Sequence, residues 1–82
     1  MKIYNQVVEI LYKTVLIEKQ TIYPYTDFEE HLLLDAMEKQ EVINECNLYF
    51  GITIPEKLYW LTNTVQNLAD IIDITVHYGE KY

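Results

Sequence analysis

Residues 27–55, DFEEHLLLDAMEKQEVINECNLYFGITIP, hold a turn, a helix start, several helical turns and a helix stop. Asp35 is a good N-cap, because its carboxylate can accept from the unpaired N–H groups of a first turn. Gly51 suits the left-handed residue that closes a helix, and Pro55 follows shortly beyond it. At about 100° per residue, Val42, Ile43, Cys46, Tyr49 and Phe50 fall on one side, the expected core side. Glu38, Glu41 and Glu45 share another face and form an acidic stripe, with Met37 and Leu48 projecting beside it. Acids at these spacings repel by about 0.2–0.5 kcal/mol per pair. Their presence therefore argues for recognition rather than for helix stability.

Composition bounds the possibilities. Eighty-two residues predict a single domain over positions 1–82, and half of them are hydrophobic, enough for a core without metal or disulfide. The single Cys46 has no partner for an internal disulfide, which points to a reducing, cytoplasmic setting. No apolar run approaches the length of a membrane span, so no membrane insertion is expected. Thirteen acids against six bases give a formal charge of −7. Such a chain is a poor match for nucleic-acid phosphates and a good one for basic protein surfaces, through electrostatic steering.

Outward from the central stretch, residues 2–18 place Ile3, Val7, Ile10, Leu11, Thr14 and Ile17 at helical spacing, with Val8 and Val15 widening the arc. They predict a first helix held by tertiary packing, because its β-branched residues lower intrinsic propensity. Residues 19–34 predict a long connection, with a turn opening at Thr26 or Asp27 and with Tyr23, Tyr25, Phe28, Leu32 and Leu34 pinning it down. Beyond Gly51, Ile52 and Ile54 read as inward anchors and residues 56–61 as a short helical turn. Thr64 caps a last helix with Val65, Leu68, Ala69, Ile72 and Val76 on one face, and the end, HYGEKY, is expected to fray. The sum is an all-α, four-helix bundle with a long first loop and a short third helix.

The pattern of Asp27-Phe28, Leu32, Leu34-Asp35, Met37, Glu38, Glu41 and Phe50-Gly51-Ile52-Thr53-Ile54-Pro55, followed by Thr64-Val65, resembles the acyl carrier proteins over nearly the whole chain. The resemblance implies a discrete carrier, likened here to those of fatty-acid and polyketide synthesis. In such carriers a phosphopantetheinyl transferase moves 4'-phosphopantetheine from coenzyme A onto a serine hydroxyl, and the terminal thiol of that cofactor then carries acyl groups as thioesters. That serine should stand at position 36, beside Asp35, but the chain has Ala36. Either the serine was replaced to give an unmodifiable carrier, the reading favoured by the intact remainder of the motif, or a natural paralogue has lost its tether. Leu33 also stands where the family has glycine, and His31 where it has an acid. The resemblance further implies that Met37, Glu38, Glu41, Glu45 and Leu48 face ketosynthases and other acyl-processing enzymes with basic docking surfaces. Cys46, Ile54, Leu68 and Ile72 would line an acyl cavity in a monomeric bundle.

Other features carry plainer readings. Cys46 lacks a neighbouring base and reads as an apolar filler. His31 and Asp35 lack further clustered ligands, so no metal site is expected. His77, Glu29–Glu30 and Asp70–Asp73 read as solvated. No nucleophile–base constellation suggests an enzyme. The alternative function is a cofactor-free adaptor of carrier fold that binds a protein partner through its acidic second helix.

Overall fold

Three α-helices are laid down in chain order: α1 (Lys2–Val15), α2 (Ala36–Phe50) and α3 (Val65–Tyr78), in a computed structural model that describes residues 2–78. Two 3-10 segments, Lys19–Thr21 and Glu56–Leu61, lie in the connections, and the second is the expected short third helix. Among the described residues there is no strand, and Asp27 and Thr64 form one isolated antiparallel bridge. No described helix is long and apolar enough to cross a membrane.

The apolar faces converge on one core. Val7, Ile10 and Leu11 of α1, Val42, Ile43 and Cys46 of α2, and Val65, Leu68, Ala69 and Ile72 of α3 are buried together. Ile22, Phe28, Leu34 and Ile54 join them from the connections, and Ile52 and Val76 pack at the margin. α1 lies against both other helices, which meet each other less extensively.

α1 stops three residues short of the expected 2–18. Leu16 sits at φ 58°, in the left-handed region that breaks the helical ladder. The β-branched Thr14, Val15 and Ile17 around it favour an extended chain. Lys19 then pairs with Glu9 and lies 5.1 Å from the centroid of the Tyr12 ring, so the first 3-10 segment returns toward α1.

The long connection is fastened to the far end of the chain. α3 begins with N–H groups that have no partner within the helix, a general need of helix starts. Val65 donates to the Thr26 carbonyl at 3.0 Å and Gln66 to the Pro24 carbonyl at 2.9 Å. The Asn67 N–H donates to Thr64 Oγ1 at 3.1 Å, so Thr64 is the cap the sequence predicts. The Phe28 N–H donates to the Asn63 carbonyl at 2.9 Å. Buried Thr26 holds its own turn, its Oγ1 accepting from the Tyr23 N–H at 2.8 Å.

Three apolar assignments are corrected. Tyr23 and Tyr25 do not pin the loop; they are exposed and stack on each other with centroids 5.5 Å apart, while Ile22, Phe28 and Leu34 do the anchoring. Tyr49 is exposed rather than core-facing and meets Phe50 edge-on at 4.9 Å. A tyrosine can cover an apolar margin with its ring and keep its hydroxyl wet, so periodicity alone misplaces it. α3 also continues through His77 and Tyr78, where fraying is expected. The rest of that end, residues 79–82, lies outside the described residues.

Phe28 is the largest fully buried side chain and belongs to no helix, so its removal tests the loop's share of the core. Phe28→Ala should cost about 3–5 kcal/mol, a large part of the ~5–15 kcal/mol of an ordinary domain. Urea denaturation followed by circular dichroism measures it. A loss below about 1 kcal/mol would show that the loop is dispensable to the core.

Candidate functional site

The turn before α2 is built by local hydrogen bonds. Asp27 Oδ1 accepts from the N–H groups of Glu29 and Glu30, each at 2.8 Å. The Glu30 bond, with help from that of Glu29, holds the Asp27 carboxyl below its usual range against the opposing effect of desolvation. His31 Nδ1 accepts from the Asp27 N–H at 2.8 Å. His31 and Leu32 both donate to the Asp27 carbonyl, and Leu34 donates to the Phe28 carbonyl at 2.9 Å. Thus His31, read first as an unmatched departure, closes the turn.

Asp35 then caps α2 in extended geometry, φ −84° and ψ 178°. Its Oδ1 accepts from the Glu38 N–H at 2.8 Å, and Glu38 Oε1 accepts from the Asp35 N–H at 3.0 Å. This reciprocal capping box was present in the sequence as Asp35-x-x-Glu38. It assigns Glu38 a structural duty that the acidic-stripe reading does not include. Ala36 is the first helical residue and is exposed. Its methyl group offers no oxygen, so the chain as it stands cannot take a phosphopantetheine covalently at this position. The capping box also engages the Glu38 N–H, one of the groups a phosphate at this helix end would otherwise use.

Along α2, Met37, Glu41, Glu45 and Leu48 are exposed and Glu38 is half-buried. The stripe is not purely acidic at its margins. Lys13 and Thr14 of α1 line a groove with Glu41, Asn44 and Glu45. Lys39 reaches the other way, its Nζ 3.4 Å from the Tyr59 carbonyl. Gln40 donates to the Tyr59 hydroxyl at 3.2 Å, which draws the second 3-10 segment against α2. That segment leaves Trp60 exposed, an aromatic feature that its sequence position alone does not assign.

The four residues expected to line an acyl cavity, Cys46, Ile54, Leu68 and Ile72, all belong to the one buried core. The Ile54 N–H donates to Asn47 Oδ1 at 3.1 Å, fixing the link after α2 against that helix. A separate open groove of about 900 Å³ runs past Leu48, Gly51, Ile52, Pro55, Leu58 and Ile74, at the opposite end of α2 from position 36. His77 is exposed but paired, with Nδ1 2.9 Å from an Asp73 carboxylate oxygen. Among the described residues no group of three or more His, Cys, Asp or Glu side chains is placed to hold a metal ion. No known protein-family model matches the chain.

Two measurements follow from these environments. Asp35→Ala should destabilise the fold by about 1 kcal/mol and Asp35→Asn by only a few tenths; equal losses would mean that the cap contributes nothing as an acceptor. Burial, assisted by the Glu45 charge, pushes the Cys46 thiol from 9.0 to about 12. The unfolded chain would then release this proton first as pH rises, while the folded chain keeps it. Stability should therefore fall between about pH 9 and pH 12, by up to about 1.4 kcal/mol per unit from this group. The Cys46→Ala variant should show a shallower alkaline decline in urea titrations. An unchanged decline would place the thiol in a wetter site.

Proposed function

We propose that this chain is a carrier of the acyl-carrier type and not itself an enzyme. Its serine-bearing form would tether acyl intermediates as thioesters on 4'-phosphopantetheine at position 36 and present them to synthesis enzymes. The observation that supports this best is the exposure of position 36 on the first turn of α2, held by the Asp35 cap. Met37, Glu41, Glu45 and Leu48 lie open along the same helix. In this reading Asp35 sets the geometry of the attachment residue, and the exposed acids draw in basic enzyme surfaces at rates that fall with salt. Cys46, Ile54, Leu68 and Ile72 are buried, and in this reading they would shelter part of the acyl chain from water.

A second reading is favoured by Ala36 itself and by the capping box at the helix end. The chain would be a cofactor-free adaptor that uses the exposed face of α2 to bind a protein partner. An Ala36→Ser variant separates the two. Incubated with coenzyme A, magnesium and a broad-specificity phosphopantetheinyl transferase, it should gain one phosphopantetheine by intact mass, while the Ala36 form gains none. A folded serine variant that remains unmodified would favour the adaptor.

A further inference from the structure

His31 is held by a bond that only its uncharged form can make. Its Nδ1 accepts from the Asp27 N–H at 2.8 Å. A neutral imidazole carries one proton on its two nitrogens, so here the proton sits on Nε2 and Nδ1 is bare. A second proton would have to enter at Nδ1. The ring would then turn a donor toward a backbone donor, and the bond would be lost. Imidazoles take up that proton in the weakly acid range, where exposed carboxylates are still ionised.

The surroundings leave the ring free to titrate. His31 is exposed, so a proton reaches it directly from solvent. The other charged groups of the turn are Asp27, Glu29 and Glu30. From α2 come Asp35 and Glu38, tied to each other's backbone, and one base, Lys39. The Lys39 charge reaches the Asp27 carboxylate, but its Nζ lies 3.4 Å from the Tyr59 carbonyl. The start of α3, Asn63 to Gln66, adds no charge. The bond also matters to the turn. The Asp27 carboxylate accepts from backbone ahead of it, and the His31 side chain accepts from the Asp27 backbone in return. This is the reciprocal arrangement of a capping box, with an acceptor that a proton can switch off. We propose that His31 is a pH-sensitive latch on the turn before α2. Neutral, it closes the turn; protonated, it releases the Asp27 N–H and opens the turn. The latch does not depend on what position 36 carries.

His77 supplies an internal contrast. Its Nδ1 lies 2.9 Å from an Asp73 carboxylate oxygen and 2.9 Å from the Asp73 carbonyl, both acceptors, so this nitrogen must donate. Nitrogen-15 NMR of the full chain at about pH 8, where imidazoles are neutral, should show opposite tautomers: Nε2–H at His31 and Nδ1–H at His77. As pH is lowered to about 5.5, the Asp27 amide proton shift should follow the His31 ring and not that of His77. Protection of the Asp27 amide from solvent exchange should fall about fivefold. The His31 and Leu32 amides, both bonded to the Asp27 carbonyl, should lose protection with it. In His31→Asn, a side-chain oxygen replaces Nδ1 without titrating, and all three amides should keep their protection over the same range. An Nδ1–H tautomer at His31 would overturn the latch. So would amides at Asp27, His31 and Leu32 that ignore the ring's titration, or that respond equally in a folded His31→Asn variant. The tautomer and the titration are read on the unsubstituted chain, so they decide the matter even if the variant fails to fold.

Discussion

The start of α3 needs acceptors for its first N–H groups, and the first loop supplies two of them. The carbonyls of Pro24 and Thr26 accept from Gln66 and Val65, some forty residues away in sequence. With the Phe28–Asn63 bond, this fixes the loop across the end of the bundle and sets Phe28 into the core. Once Phe28 and Leu34 are anchored, the turn between them has little freedom, and Asp35 arrives in position to cap α2. The geometry at position 36 thus depends on helix-end chemistry at α3.

The boundaries of α2 were legible because their chemistry is local. Asp35 and Glu38 satisfy each other's backbone, and Gly51 takes φ 66° at the far end. The buried faces of α2 and α3 were largely legible for the same reason, since periodicity reports which residues face inward. What could not be read was whatever depends on backbone atoms or on distant partners. The loop's fastening to α3 uses carbonyl oxygens, which leave no signature in residue type. Leu16 ends α1 in a conformation that its identity argues against. Tyr23, Tyr25 and Tyr49 were misplaced because a half-wet aromatic ring satisfies either face of an amphipathic pattern.

The candidate site was legible in a similar, uneven way. Position 36 and its exposed neighbours follow from the Asp35 register. Glu38 proved to be shared between the cap and the acidic face. The loop residues His31 and Leu33, departures from the resembled pattern, have different consequences here. His31 completes a hydrogen-bonded turn, whereas Leu33 gains nothing from the fold it strains. Lys13 of α1 tempers the acidic helix at its margin, so the acidic face of α2 is narrower than the charge of −7 suggests.

The central dependence is that of the α2 start on the loop's attachment to α3. Native-state hydrogen exchange of the Phe28, Leu34, Val65 and Gln66 amides tests it most directly. All four should exchange slowly and lose protection together as urea is raised, as members of one cooperative unit. Rapid exchange at Val65 and Gln66, with the middle of α3 still protected, would show that the loop is not fastened there and would contradict the account.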